Sequence, residues 1–233
     1  MRHHPCRSPA VLWTTLALVV LVSACVLRPR PDPTRFYVLA ASDPGHPPAP
    51  GSPIVGLGPI TMPGYLQYPM LATRVGTQVR YADVDRWAEP LPTLFARSLG
   101  QDLTALFGAR IVPYPWYRAT ALDVVVRVDV ASFEGDVAGD ARLDACWTIL
   151  DSPARNMCRG ECSSIVEAVD DRGAQAQVAA LSRAVGELAR RLASAIRSCP
   201  RTFERSGGAP APLPLAPGGV DSGRAASAPY PCG

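Results

Sequence analysis

Histidine and cysteine are the side chains that most often carry chemistry, and their positions here bound what the chain can do. Three His occur in 233 residues. His3 and His4 precede an apolar run, which leaves His46 inside a Pro-rich loop. A Ser-His-Asp or Cys-His nucleophile pair is therefore not expected, and neither is a His-based metal site. Gly56-x-Gly58 is followed by Pro59 rather than by a helix start, so it does not read as a dinucleotide loop. The acids Asp123, Asp129, Asp144, Glu161 and Glu167 fall on the wet faces of predicted strands and read as solvated polar residues. The expectation is a non-enzymatic chain with no catalytic residue, metal or cofactor.

Seven Cys remain to be placed. Cys6 and Cys25 belong to the amino-terminal address described below, leaving Cys146, Cys158, Cys162, Cys199 and Cys232. An odd number in an oxidising compartment leaves at least one thiol unpaired or intermolecular. Cys158-x-x-x-Cys162 has neither zinc-ribbon nor thioredoxin spacing, and in a strand the two would sit about 13 Å apart, too far to bond each other. With a turn centred near Ala154, Cys146 and Cys162 fall opposite one another across a hairpin. A Cys146–Cys162 disulfide is the expected pairing, with Cys146–Cys158 as the alternative.

The elements that position these residues begin after an address. Arg2 and Arg7 precede the apolar run 11–21, and a helix over 11–24 would span about 21 Å, short of a ~30 Å bilayer core. Val22-Ser23-Ala24-Cys25 matches a bacterial lipobox, which would make Cys25 an acylated amino terminus. An ordinary signal peptide with an incidental Cys and an uncleaved anchor are the alternatives. Val26 rather than Asp after Cys25 points to outer-membrane sorting. The expected organisation is a lipoprotein signal peptide over 1–24, the lipidated Cys and a Pro-rich tether over 25–34, one folded domain over 35–205, and a disordered Gly/Ala/Pro/Ser-rich tail over 206–233. All 23 basic residues are Arg, scattered among 20 acids, so a nucleic-acid surface is not expected.

Within the domain, strands are predicted over 35–39, 54–57, 71–75 and 78–81, the last two joined by Gly76-Thr77 as a hairpin turn. Leu91, Phe95, Leu99, Leu103 and Leu106 form one helical stripe, opened by Pro90 and Pro92 and closed by Gly108. Residues 122–130 and 141–149 alternate apolar and polar, 161–169 form a weaker strand, and Val178, Leu181, Val185, Leu188, Leu192 and Ile196 mark a second amphipathic helix. One buried and one wet strand face predicts an α+β single domain, an antiparallel sheet with two helices packed on one face.

Gly58-Pro59, Pro63-Gly64-Tyr65-Leu66, Thr73-Arg74, Asp85-Arg86-Trp87-Ala88-Glu89-Pro90-Leu91 and Tyr114-Pro115-Trp116 together resemble the ABC-type transport auxiliary lipoproteins, a paraquat-inducible protein C-like family. The resemblance covers roughly 35–197, with the lipobox ahead of it. The Cys146/Cys158/Cys162 set and the long tail depart from it. It implies a non-catalytic lipoprotein held at the outer membrane and facing the periplasm. The implied partners are an MCE-domain periplasmic protein and its inner-membrane permease and ABC complex, moving phospholipid between membranes, with self-association left open. Pro63, Gly64, Tyr65, Leu66, Arg74, Trp87, Glu89 and Pro90 are the motif residues. Among them Trp87 is expected to pack the helix start, Pro63 and Gly64 to shape a turn, and Tyr65 and Leu66 to face a partner. A generic periplasmic lipoprotein that binds a ligand or cell-wall component is the competing reading.

Overall fold

The computed structural model describes residues 13, 31–42, 47–117, 121–136, 139–151, 156–171 and 173–199. The expected signal peptide apart from Trp13, Cys25, Pro200 and the expected tail lie outside these residues. Among them the chain forms β1 (Arg35–Tyr37), β2 (Ile54–Thr61), a 3-10 turn (Gly64–Gln67), β3 (Met70–Val75), β4 (Gln78–Trp87), α1 (Leu91–Phe107), β5 (Arg110–Pro113), β6 (Val124–Asp136), β7 (Asp140–Asp151), β8 (Met157–Ala168) and α2 (Ala174–Arg197).

All eight strands join one sheet, with β6 as its spine. β6 pairs antiparallel with β7, and β7 with β8. Its other flank is shared. The amino-terminal half of β6 pairs parallel with β2, which carries β5, while Gly135 and Asp136 pair parallel with β3. β3 then carries β4 antiparallel, and β4 carries β1 in parallel. The α+β class and the two helices are as the sequence predicts, but the sheet is mixed rather than antiparallel. The physical reason is that side-chain alternation reports which face is wet, not the direction of the neighbouring strand. The parallel pairs also join strands that are distant in sequence.

The helices cover the face carrying Val124, Val126, Val128 and Val130 of β6 and Ala141, Leu143, Ala145, Trp147 and Ile149 of β7, all buried. Pro90 precedes α1 and its carbonyl accepts the N–H groups of Thr93 and Leu94 (2.9 and 3.2 Å). Pro92 falls in the first turn, where a missing N–H costs little. Gly108 ends α1 in the left-handed conformation (φ 67°), its N–H donating to the Thr104 carbonyl. On α2 the predicted stripe from Val178 to Ile196 is buried, and buried Ala180, Ala184, Ala189 and Ala193 let α2 lie close to the sheet and to α1. Each fully buried large apolar side chain contributes about 1.5–3 kcal/mol.

A bulge in β6 between Val130 and Ser132 shifts the alternation and turns Phe133 into the core. There Phe133 stacks with Trp87 (centroids 6.3 Å) and meets Phe95 edge-on (5.4 Å). Past this bulge β6 runs six residues beyond Val130, and β4 runs on from Tyr81 to Trp87 because β1 supplies it a second neighbour. On the wet face Cys146 and Cys162 are direct cross-strand neighbours and are bonded to each other. Cys158 is bonded to Cys199 rather than to Cys146, because the end of α2 returns to the start of β8.

Candidate partner-docking loop

The motif residues fall in two adjoining places. The first is the connection from β2 to β3. Pro63 enters the 3-10 turn at φ −57° and its carbonyl accepts the Leu66 N–H at 3.0 Å. Gly64 is exposed at the start of that turn. Leu66 is only 3% exposed and belongs to the core cluster, which corrects its expected place on a partner surface. A single helical turn sends its side chains in different directions, and Leu66 takes the inward one. The exposed aromatic of this connection is Tyr68, 56% exposed, with its ring 5.5 Å from that of Tyr81.

Tyr65 is half-buried, and a charge holds it. Glu134, near the end of β6, is 1% exposed. Its Oε1 accepts Arg74 Nε and its Oε2 accepts the Tyr65 hydroxyl at 2.5 Å. Arg74 Nη2 also donates to the Tyr65 hydroxyl at 3.0 Å, and its guanidinium lies 5.6 Å from the centre of the Tyr65 ring. The Tyr81 hydroxyl donates to the Tyr65 carbonyl at 3.0 Å. Both carboxylate oxygens therefore have donors, which is what a buried charge requires. Burial, and then the hydrogen bond to Glu134, push the Tyr65 phenol above its ordinary value, so it stays a protonated donor. The Glu134 hydrogen bond likewise raises Arg74.

The second place is the junction from β4 to α1. Trp87 is buried, and its N–H donates to the Pro69 carbonyl at 2.7 Å, closing the end of the loop. The Ala88 N–H donates to the Tyr37 carbonyl at 2.9 Å. Glu89 accepts both Arg97 Nη2 (2.9 Å) and Nη1 (3.2 Å), and Pro90 opens the helix. Trp87, Glu89 and Pro90 thus tie the loop, β1 and α1 together. Tyr114-Pro115-Trp116 is a third structural fixture. The Trp116 indole donates to the Val112 carbonyl at 3.0 Å, and a Cβ on Gly56 would come within 2.9 Å of its ring. Gly58 has φ 119°, and a Cβ there would sit 2.8 Å from Tyr114.

Two important acids are not singled out by the sequence pattern. Glu134 lies beyond the alternating run that defines β6, and Asp85 reads only as part of a motif. Asp85 is 8% exposed, accepting Arg35 Nε (2.7 Å), Arg35 Nη2 (3.0 Å) and the Tyr37 hydroxyl (3.1 Å). Alternation from Phe133 would put Glu134 on the wet face, so the sequence carries no signal for its burial. The acids read as solvated do have partners. Asp144 accepts Ser132 and Arg142 (both 2.6 Å), Asp123 accepts the Ile54 N–H (2.7 Å), and Glu167 accepts Arg183 (3.3 Å). Thr61 donates to Asp129, and Arg159 to Glu161 at 3.2 Å.

Two concavities lie beside the start of α2, the smaller of them also against β1. The larger, 1020 Å³, is lined by Asp85, Asp136, Asp140, Asp170 and Arg80 among others. The smaller, 570 Å³, is mainly apolar, lined by Phe36, Val38, Ala41, Val178 and Ala179 with Arg183 at its edge. Among the described residues no three His, Cys, Asp or Glu side chains stand where they could hold a metal ion, and no helix is long and apolar enough to cross a membrane.

No curated protein sequence matches the chain. Solved structures do match its fold. An uncharacterized protein superposes with a TM-score of 0.60 at 16% identity, over 70% of this chain and 98% of its own. A Xanthomonas campestris protein from a family of unknown function superposes at 0.55, again with 16% identity, over 70% and 97%. At these identities the likeness is one of fold. The sequence profile of the ABC-type transport auxiliary lipoprotein component matches residues 37–193, from β1 through most of α2. The chain belongs to the ABC-type transport auxiliary lipoprotein family.

Proposed function

We propose that this chain is a non-catalytic subunit of an ABC/MCE-type intermembrane lipid-transport system, supporting envelope integrity. Acylated Cys25 holds it at the outer membrane, and the domain faces the periplasm to dock an MCE-domain protein of the inner-membrane complex. Family membership supports the transport role. The observation that carries the docking role is the residue 63–69 connection. It presents exposed Tyr68 and Gln67 from a backbone fixed at three points: Leu66 in the core, Tyr65 on Glu134, and the Pro69 carbonyl on Trp87. A preordered aromatic loses little conformational freedom on binding, which is the property of an interface anchor. Tyr65 adds the exposed part of its ring to this surface.

The test is recovery of the full-length protein from gently solubilised envelopes. Co-purification of an MCE-domain protein and its permease supports the reading. Purification of the lipoprotein without either, while the two partners remain bound to each other, contradicts it.

A further inference from the structure

The apolar concavity beside β1 has no role in the partner loop. β1 is a three-residue edge strand, bonded on one side only, to β4. Phe36 (65% exposed) and Val38 (52%) project from it and its continuation, while Leu39 is buried. With Ala41, Val178 and Ala179 they form one apolar strip, bordered by Arg183 and by Arg86, the cross-strand neighbour of Phe36. Arg183 is matched by Glu167 and Asp170. Large exposed apolar side chains grouped in this way mark a contact surface.

What covers the strip follows from where the chain leads. Phe36 lies eleven residues after Cys25. The ten residue steps from Cys25 to Arg35 reach at most about 36 Å even when fully extended, so an acylated Cys25 keeps β1 close to the bilayer. We infer that the Phe36/Val38 strip is a membrane-docking face, which rests the domain on the phospholipid surface at the level of the headgroups. This rests on the proposed acylation of Cys25. Among the described residues the outer edge of β1 has backbone N–H and C=O groups with no strand partner, and these need water. That limits the contact to interfacial depth, where an apolar strip enters about 5–10 Å. The orientation also fixes the far side of the molecule. The end of β8 lies near this face, because Glu167 and Asp170 hold Arg183, whereas the start of β8 lies at the other end of α2, where Cys158 is bonded to Cys199. α2 runs for 24 residues between the two, about 36 Å.

Photocrosslinking in intact cells tests the inference on the full-length lipoprotein. Benzoylphenylalanine is placed singly at Phe36 and Val38, and, as a control, at Met157, an exposed apolar residue at the start of β8. Cells are labelled with radioactive phosphate, irradiated, and the purified lipoprotein is assayed for phospholipid adduct. Several-fold more adduct from Phe36 and Val38 than from Met157 is the expected result. Equal yields, no adduct, or crosslinks from Phe36 to a protein alone overturn the docking face. Acylation of Cys25 is read separately, from palmitate incorporation. If Cys25 is acylated and Phe36 gives no lipid adduct, only the docking face falls. If Cys25 is not acylated, the anchoring falls, and adduct at Phe36 still decides the face on its own.

Discussion

Glu134 is buried with its charge matched by Arg74 and Tyr65, so Glu134→Gln removes the charge while keeping the shape. The loss of charge-assisted hydrogen bonds to a buried group predicts a destabilisation of about 1.5–3 kcal/mol, read from the urea midpoint at neutral pH. Asp144 and Glu187 supply the pH dependence. Burial raises each of them, but the hydrogen bonds of Arg142, Ser132 and Ser164 to Asp144, and of Arg191 and Arg190 to Glu187, outweigh it and leave both below the ordinary carboxylate range. A carboxylate depressed in the folded state contributes stability above its unfolded pKa and loses it as pH falls through the folded value. Urea midpoints should therefore drop on acidification below the ordinary carboxylate range. In Asp144→Asn with Glu187→Gln the drop should be shallower.

At the scale of elements, the connection from β2 to β3 separates packing from presentation. Leu66→Ala should cost about 2–5 kcal/mol, as a core leucine does. Tyr68→Ser should stay within about 0.5 kcal/mol of the native protein, as an exposed substitution does, while reducing partner recovery. Denaturant melts of the two variants, set beside the co-purification assay, check both statements. The contrast also shows what the sequence can reveal. Both helices are legible because 3.6-residue periodicity needs no knowledge of neighbours, and Pro90, Pro92 and Gly108 mark the ends of α1. Cys146 and Cys162 can be paired because a hairpin fixes its own register. Parallel pairing and the Cys158–Cys199 bond are set by contacts between distant elements and leave no local trace. Leu66 and Tyr68 lie two residues apart in one irregular turn, where no period distinguishes inward from outward. Glu134 lies beyond a bulge that breaks the alternation needed to place it.

For the whole molecule, the two disulfides staple different distances. Cys146–Cys162 closes 16 residues of sequence within one hairpin, and Cys158–Cys199 closes 41, fastening the end of α2 to the sheet. Loop-closure entropy gives about 3 kcal/mol for the first and about 4 kcal/mol for the second. Cys158→Ser with Cys199→Ser should therefore lower stability somewhat more than Cys146→Ser with Cys162→Ser, as measured by urea unfolding under oxidising conditions. Under the proposed function, the core and clamps of this lipoprotein domain hold one loop in place for a partner in lipid transport. Crosslinking at that loop tests it most directly. Benzoylphenylalanine at Tyr68 of the full-length protein, irradiated in intact cells, should yield an adduct containing an MCE-domain protein. Substitution at Met157, at the start of β8, should not. An MCE adduct of equal yield from Met157, or no MCE adduct from Tyr68 in cells where both proteins are present, would contradict the account.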